Sequence, residues 1–164
     1  MLKNVLSRED CAKCRFCCSF RRQSLGLTPC FAKETVAEIR RLFSDARFKT
    51  LPNGATTIDI DDKYLTDDSQ EEALCPFNRK GCILPAHLKP FDCELWPFRL
   101  MKRGDELTLA LVPTCPWIEK DAPKLKAAAL AIAETAAQYA RVHPEIVIDY
   151  RPDYQFVAAV GFLV

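Results

Sequence analysis

Four of the nine cysteines lie within eight consecutive residues near the start of the chain, at Cys11, Cys14, Cys17 and Cys18. Two-residue gaps between cysteines let successive sulfurs turn toward one ion or cluster, while backbone amides of the loop donate hydrogen bonds to them. Charged residues surround the run, and four thiols among charges are a poor way to build a hydrophobic core. The spacing therefore predicts a metal centre made of cysteine thiolates.

Such a centre must be closed by ligands from elsewhere in the chain. The candidates are Cys75, Cys82, Cys93 and Cys115. Eight thiols suffice for two four-cysteine zinc sites, or for one iron–sulfur cluster with several thiols left over, and the count leaves both open. The ninth cysteine, Cys30, lies in a helical pattern beside Phe31 and is assigned to the core.

The adjacent pair Cys17 and Cys18 carries further information. Neighbouring side chains in an extended segment point in opposite directions, so they seldom both bind one mononuclear ion. Either two sites meet at this pair, or one of its thiols is not a ligand.

Composition limits the possible functions. Lys and Arg number 23 against 22 Asp and Glu, so there is no charge excess to attract nucleic acid or anionic lipid. No run approaches the roughly 18 apolar residues of a membrane span, and the N-terminus has no secretory-signal pattern. We therefore expect a cytoplasmic protein, in which thiols stay reduced and clustered cysteines bind metal more often than they form disulfides.

Two other groups of polar residues are weaker candidates. His87 lies between Cys82 and Cys93 and is interpreted as a surface histidine rather than a nitrogen ligand. The acidic stretch over residues 59–72 has neither the glycine nor the ligand spacing of a calcium loop, so it predicts a solvated loop that could face a protein partner.

Several segments with clear periodicity must position these residues. The elements expected from the sequence are a helix over about residues 29–43, a strand over 56–60 after a turn at 52–54, a hairpin with strands over 96–102 and 107–112, an alanine-rich helix from about 121 to 143, and short strands near 146–148 and 156–160. Together they predict a small α+β domain over residues 1–164, with short strands, two main helices and cysteine-rich loops. The cysteine-cluster region covers about residues 11–118, and the C-terminal helix and tail cover about 121–164.

The run from Cys11 to Cys18 resembles the defining motif of the YkgJ-type cysteine-cluster family, whose domains chelate zinc or iron. A second block, which begins at Cys75-Pro76-Phe77 and ends at Cys93, also resembles that family. The resemblance covers about residues 11–118, and the chain departs from the pattern at Lys89 and Glu94, where arginine is usual. It implies metal chelation more firmly than any reaction.

The resulting expectation is a metal-binding protein that holds zinc or an iron–sulfur cluster. The alternative is an enzyme, either an iron–sulfur redox protein or an S-adenosylmethionine-dependent group-transfer enzyme, because a flagellin lysine methylase carries a similar cysteine block. In the enzyme reading, a thiol such as Cys18 lies near an open coordination position and is activated by nearby cations.

Overall fold

The computed structural model describes residues 13–113 and 122–162. These residues divide into two compact units, one ending at Cys93 and the other beginning at Glu94. Every cysteine from Cys14 to Cys93 belongs to the first unit. The prediction of a single domain over the whole chain stays a prediction.

The first unit is built from short strands and two helices. Its elements are β1 (Ser19–Arg21), β2 (Cys30–Phe31), α1 (Lys33–Leu42), β3 (Phe48–Thr50), β4 (Thr56–Ile58), β5 (Glu72–Leu74) and the start of α2 (Phe91–Leu95). Short 3₁₀ helices occur at Phe16–Cys18, Arg22–Leu27, Asp61–Lys63 and Ala86–Leu88. One antiparallel sheet has the order β2-β4-β3, and a separate antiparallel pair joins β1 to β5.

An aromatic and aliphatic core supports these short strands. Ile39 of α1 and Ile58 of β4 are fully buried in it. The Phe31 ring lies 5.2 Å from Phe48 and 6.1 Å from Phe77, centroid to centroid. Strands of two or three residues are marginal alone, so burial of these side chains must supply most of their stability.

The second unit is a four-stranded sheet with one long helix. Its elements are β6 (Phe98–Arg103), β7 (Glu106–Leu111), α3 (Ala122–Val142), β8 (Ile148–Asp149) and β9 (Gln155–Phe162). The strand order is β8-β6-β7-β9, with β6 and β8 parallel and the other pairs antiparallel. Helix α3 packs against this sheet through a buried face that includes Leu125, Ala129, Ile132 and Ala136.

The predicted α+β class, with short strands and two main helices, is confirmed. The hairpin forms with Gly104 at a φ of 60° in its two-residue loop, and the alanine-rich helix ends at Val142, as expected. No helix within residues 13–113 and 122–162 is long and apolar enough to cross a membrane. The cytoplasmic location stays a prediction.

The start predicted for the first helix is wrong. Helix α1 begins at Lys33, and Cys30 and Phe31 instead pair with Thr57 and Thr56 of β4. The buried Thr28, just before this segment, donates a hydrogen bond from its hydroxyl to the Leu25 carbonyl and accepts one of 2.7 Å from the Thr57 hydroxyl. These tertiary hydrogen bonds favour the extended backbone over the helical one.

Candidate metal centre

The β1–β5 pair brings the two cysteine blocks together. Ser19 lies opposite Leu74 in the antiparallel register, so the residues just outside the ladder, Cys18 and Cys75, also face each other. The Cys75 backbone N–H donates a 2.7 Å hydrogen bond to the Cys18 carbonyl. Two thiols that are far apart in the sequence therefore become neighbours.

A tight turn controls the direction of the Cys17 and Cys18 side chains. Arg15 adopts a φ of 54°, and a 3₁₀ turn follows over Phe16–Cys18, closed by a 2.9 Å hydrogen bond from the Cys18 N–H to the Arg15 carbonyl. The two Sγ atoms lie 3.9 Å apart. The expectation that adjacent thiols diverge assumed an extended segment, and it is wrong here because the backbone turns.

The second cysteine block folds back on itself. Asn78 and Cys82 form an antiparallel bridge, and the Ile83 N–H donates a 2.9 Å hydrogen bond to the Phe77 carbonyl. Lys80, with a φ of 58°, reverses the chain between them. This return brings Cys82 back toward Cys75.

Cys93 enters from the short helix α2, where its N–H donates a 3.0 Å hydrogen bond to the Pro90 carbonyl. The charges of Cys18 and Cys75 contribute to the raised pKa of Cys93, and those of Cys18 and Cys82 contribute to the raised pKa of Cys75. Cys18, Cys75, Cys82 and Cys93 therefore lie close enough to interact electrostatically. We call these four thiols, together with Cys17 beside Cys18, the cluster.

The electrostatic environment differs sharply across this cluster. The hydrogen bond with Cys17 lowers the pKa of Cys18 to about 7, outweighing the opposite effect of burial, with smaller contributions from the Asn78 side chain and the charge of Lys89. Burial, together with repulsion from Cys18 and Cys82, raises the pKa of Cys75 to about 12 despite a hydrogen bond from the Phe77 backbone. Near neutral pH, Cys18 is therefore the readily ionised member of the two.

Cys93 is also held in its protonated form. Burial is the main cause of its raised pKa, and the neighbouring Asp92 carboxylate adds to the effect. A cation at the cluster would reverse this balance, because a coordinating thiol loses its proton outright.

Asp92 is a site residue that the sequence did not suggest. Only 4% of its surface is exposed, and its carboxylate accepts a 2.9 Å hydrogen bond from the Cys30 backbone N–H. The contact joins β2 to the helix that carries Cys93. The dipeptide Asp92-Cys93 is visible in the sequence, but burial of the carboxylate depends on contacts that the sequence does not reveal.

The remaining candidates are distributed as follows. Cys11 and Cys115 lie outside the described residues, and the Cys14 side chain is half-buried. Cys30, assigned to a helical core position, is instead a half-buried residue of β2. His87 is an exposed residue whose Nε2 lies 3.2 Å from the Glu38 Oε1, as expected for a surface histidine.

The acidic stretch makes local contacts. The Asp61 carboxylate pairs with Lys49 at 2.6 Å, and that of Asp62 pairs with Arg47 at 2.8 Å. Glu71 accepts hydrogen bonds from the backbone N–H groups of Leu65 and Thr66, at 2.7 and 2.9 Å. These contacts fit a solvated loop and leave a role in partner binding as a prediction.

The geometry of the donors decides which group they fit. Across residues 13–113 and 122–162, no group of three or more His, Cys, Asp or Glu side chains is arranged to hold a metal ion. The described thiols are thus a cluster of soft donors and not a completed coordination shell. Their chemistry suits zinc or the iron of an iron–sulfur cluster, and the Sγ spacing of 3.9 Å in the Cys17–Cys18 pair suits two ligands of one tetrahedral ion.

Comparison with known proteins adds no relative: no family model, no curated protein and no solved structure matches the chain. The resemblance to the YkgJ-type family therefore depends on the motif residues alone and stays a prediction.

Proposed function

We propose that this protein binds a metal through its clustered cysteine thiolates, with zinc as the ion. The observation that carries the proposal is the Sγ separation of 3.9 Å between Cys17 and Cys18. In a tetrahedral site with zinc–sulfur bonds of about 2.3 Å, two sulfurs lie about 3.8 Å apart. The pair is therefore spaced as one edge of such a tetrahedron before any ion binds.

The opposite edge would come from two of the second-block thiols Cys75, Cys82 and Cys93, whose charges influence one another or Cys18. Because no three donors among the described residues are already arranged to hold an ion, these thiols must draw together when the ion binds. A cation compensates the mutual repulsion of these groups when they ionise. Because a four-thiolate zinc site has no open position, the proposal favours a structural or metal-transfer role over catalysis by the ion.

An iron–sulfur cluster is the alternative occupant. Each iron of such a cluster has the same tetrahedral sulfur environment, so the spacing of Cys17 and Cys18 also suits two thiolates on one iron. Both occupants use the thiolates, and they differ in colour, metal and sulfide content.

Anaerobic purification of the full chain, followed by visible absorption and analysis of metal and acid-labile sulfide, tests the proposal. We expect a colourless protein with stoichiometric zinc. A brown protein with iron and sulfide would replace zinc by a cluster. A correctly folded protein that retains neither metal, and takes up neither zinc nor iron with sulfide under reducing conditions, would refute metal binding.

A matched pair of variants locates the site. Cys18→Ser removes one member of the 3.9 Å sulfur pair and should lower zinc content and affinity together. Cys30→Ser changes a half-buried thiol in β2 and should leave zinc content unchanged. Circular dichroism of both variants in chelator confirms that the fold persists, so that metal loss is not merely unfolding. Equal metal content in both variants would remove Cys18 from the site.

A further inference from the structure

We propose that Cys18 and Cys75 form a reversible cross-strand disulfide when the cluster is free of metal, which makes the site sensitive to oxidation. The disulfide itself depends only on the geometry of the β1–β5 pair. Its competition with metal depends on the proposed function.

The backbone register places these two residues opposite each other. The ladder pairs Ser19 with Leu74, Phe20 with Ala73 and Arg21 with Glu72, and the next step outward pairs Cys18 with Cys75. A single 2.7 Å hydrogen bond, from the Cys75 N–H to the Cys18 carbonyl, extends the pairing to this position, while the Cys18 N–H bonds to the Arg15 carbonyl. Opposed residues of antiparallel strands have Cα atoms about 4.5–5.5 Å apart, which falls within the range of about 4.4–6.8 Å found in disulfides.

The closer sulfur pair is a worse candidate for a disulfide. Although the Cys17 and Cys18 sulfurs lie 3.9 Å apart, the residues are adjacent in the chain. Adjacent Cα atoms are about 3.8 Å apart, below the range of about 4.4–6.8 Å found in disulfides. Closing that bond would strain the backbone, so the geometry selects the cross-strand pair.

A small-molecule disulfide such as oxidised glutathione is a sufficient oxidant. One thiolate of the pair attacks a glutathione sulfur, and the first glutathione thiolate leaves. The second cysteine thiolate then attacks the mixed disulfide, so that the Cys18–Cys75 bond forms and the second glutathione thiolate leaves. The protein loses two electrons and two thiol protons, and two glutathione thiols take them up. Both cysteine residues are half-buried rather than enclosed in the core.

The thiolate is the form of cysteine that binds metal, and a disulfide leaves no thiolate at either sulfur. Metal binding and disulfide formation at Cys18 and Cys75 therefore exclude each other. Oxidation would remove two donors from the cluster at once, and reduction by a thiol would restore them. The β1–β5 pairing that brings the two cysteine blocks together thus also creates the pair of thiols that can be oxidised.

Peptide mapping of the full chain tests this inference. Zinc-free protein, prepared with a chelator and a removable reductant, and zinc-loaded protein are each treated with oxidised glutathione, alkylated and digested with trypsin without reduction. Cleavage after Lys and Arg gives one peptide of residues 16–21, with Cys17 and Cys18, and another of residues 64–79, with Cys75. We expect the linked pair in the zinc-free sample and its suppression in the zinc-loaded sample, with fragmentation assigning the bond to Cys18.

Other results would overturn the inference. A bond through Cys17, whether to Cys75 or within the 16–21 peptide, would contradict the geometric selection, as would the absence of any linked pair in zinc-free protein. Cys75→Ser should lose the linked peptide pair, and Cys30→Ser should keep it. The peptide map of the wild-type protein tests the disulfide by itself, even if one of these variants misfolds. Zinc analysis of the loaded sample separates the two proposals, because linkage in a protein that binds no zinc would remove zinc from the proposed function and leave the disulfide intact.

Discussion

Removal of the Asp92 carboxylate should destabilise the unit that carries the thiol cluster, even without metal. The side chain is 4% exposed and accepts a 2.9 Å hydrogen bond from the Cys30 N–H, so Asp92→Ala deletes a charged acceptor and leaves its donor without that partner. Hydrogen bonds to charged groups contribute about 1.5–3 kcal/mol, and we expect a loss of about 2–3 kcal/mol in the free energy of unfolding. For a chain of this size, that loss lowers the melting temperature by about 4–12 °C.

Urea denaturation followed by far-ultraviolet circular dichroism, in chelator and reductant, measures this loss without a contribution from metal. Asp92→Asn keeps an acceptor oxygen and should cost less than Asp92→Ala. Asp45→Ala, which removes an exposed carboxylate from the same unit, should change stability by less than about 0.5 kcal/mol. An Asp92→Ala protein as stable as the Asp45→Ala protein would refute the role of this hydrogen bond.

Three further outcomes test the packing, a turn and a surface carboxylate. Ile39→Ala empties a fully buried site and should cost about 2–5 kcal/mol in urea denaturation, whereas Leu42→Ala, at a side chain 52% exposed on the same helix, should cost far less; similar losses would contradict the core assignment. Gly104→Ala places a side chain at a φ of 60° and should cost about 1 kcal/mol by thermal denaturation, and a stabilised variant would refute the turn geometry. Backbone hydrogen bonds lower the pKa of Glu71, so the contribution of its carboxylate to folding stability should be complete above about pH 5 and be lost as the pH falls through the folded-state pKa. The difference in unfolding free energy between wild type and Glu71→Gln should therefore be larger at pH 7 than at pH 3. A difference that does not change with pH would contradict this prediction.

Local sequence signals predicted the elements of the second unit well. Gly104 and Asp105 form a two-residue loop between strands whose residues pair in order, and such turn chemistry acts over a few residues. Helix α3 follows from a long apolar periodicity that ends before Pro144. Both signals are local, so no distant contact was needed to read them.

Distant partners explain the failures in the first unit. The apolar spacing around Phe31 looked helical, but the Thr57 hydroxyl oxygen lies 2.7 Å from the Thr28 hydroxyl and 2.9 Å from the Pro29 carbonyl oxygen, and these contacts hold the segment extended. The arrangement of the site depends on another long-range feature, the pairing of β1 with β5. The positive φ of Arg15, which turns Cys17 toward Cys18, is unusual for a residue other than glycine, and its type gives no hint of it. The sequence could therefore identify the cysteines as candidate ligands, but not which of them the fold brings close together.

The β1–β5 pairing also imposes an order on events during protein synthesis. Cys75 follows Cys18 by 57 positions, so the first cysteine block leaves the ribosome well before its partners. At synthesis rates of about 5–20 residues per second, the delay is roughly 3–11 s. During that interval the early thiols lack the strand, the helix and the buried carboxylate that later surround them. The thiols of the first block are thus most exposed to oxidants before residue 75 emerges, and the β1–β5 pairing can form only after it.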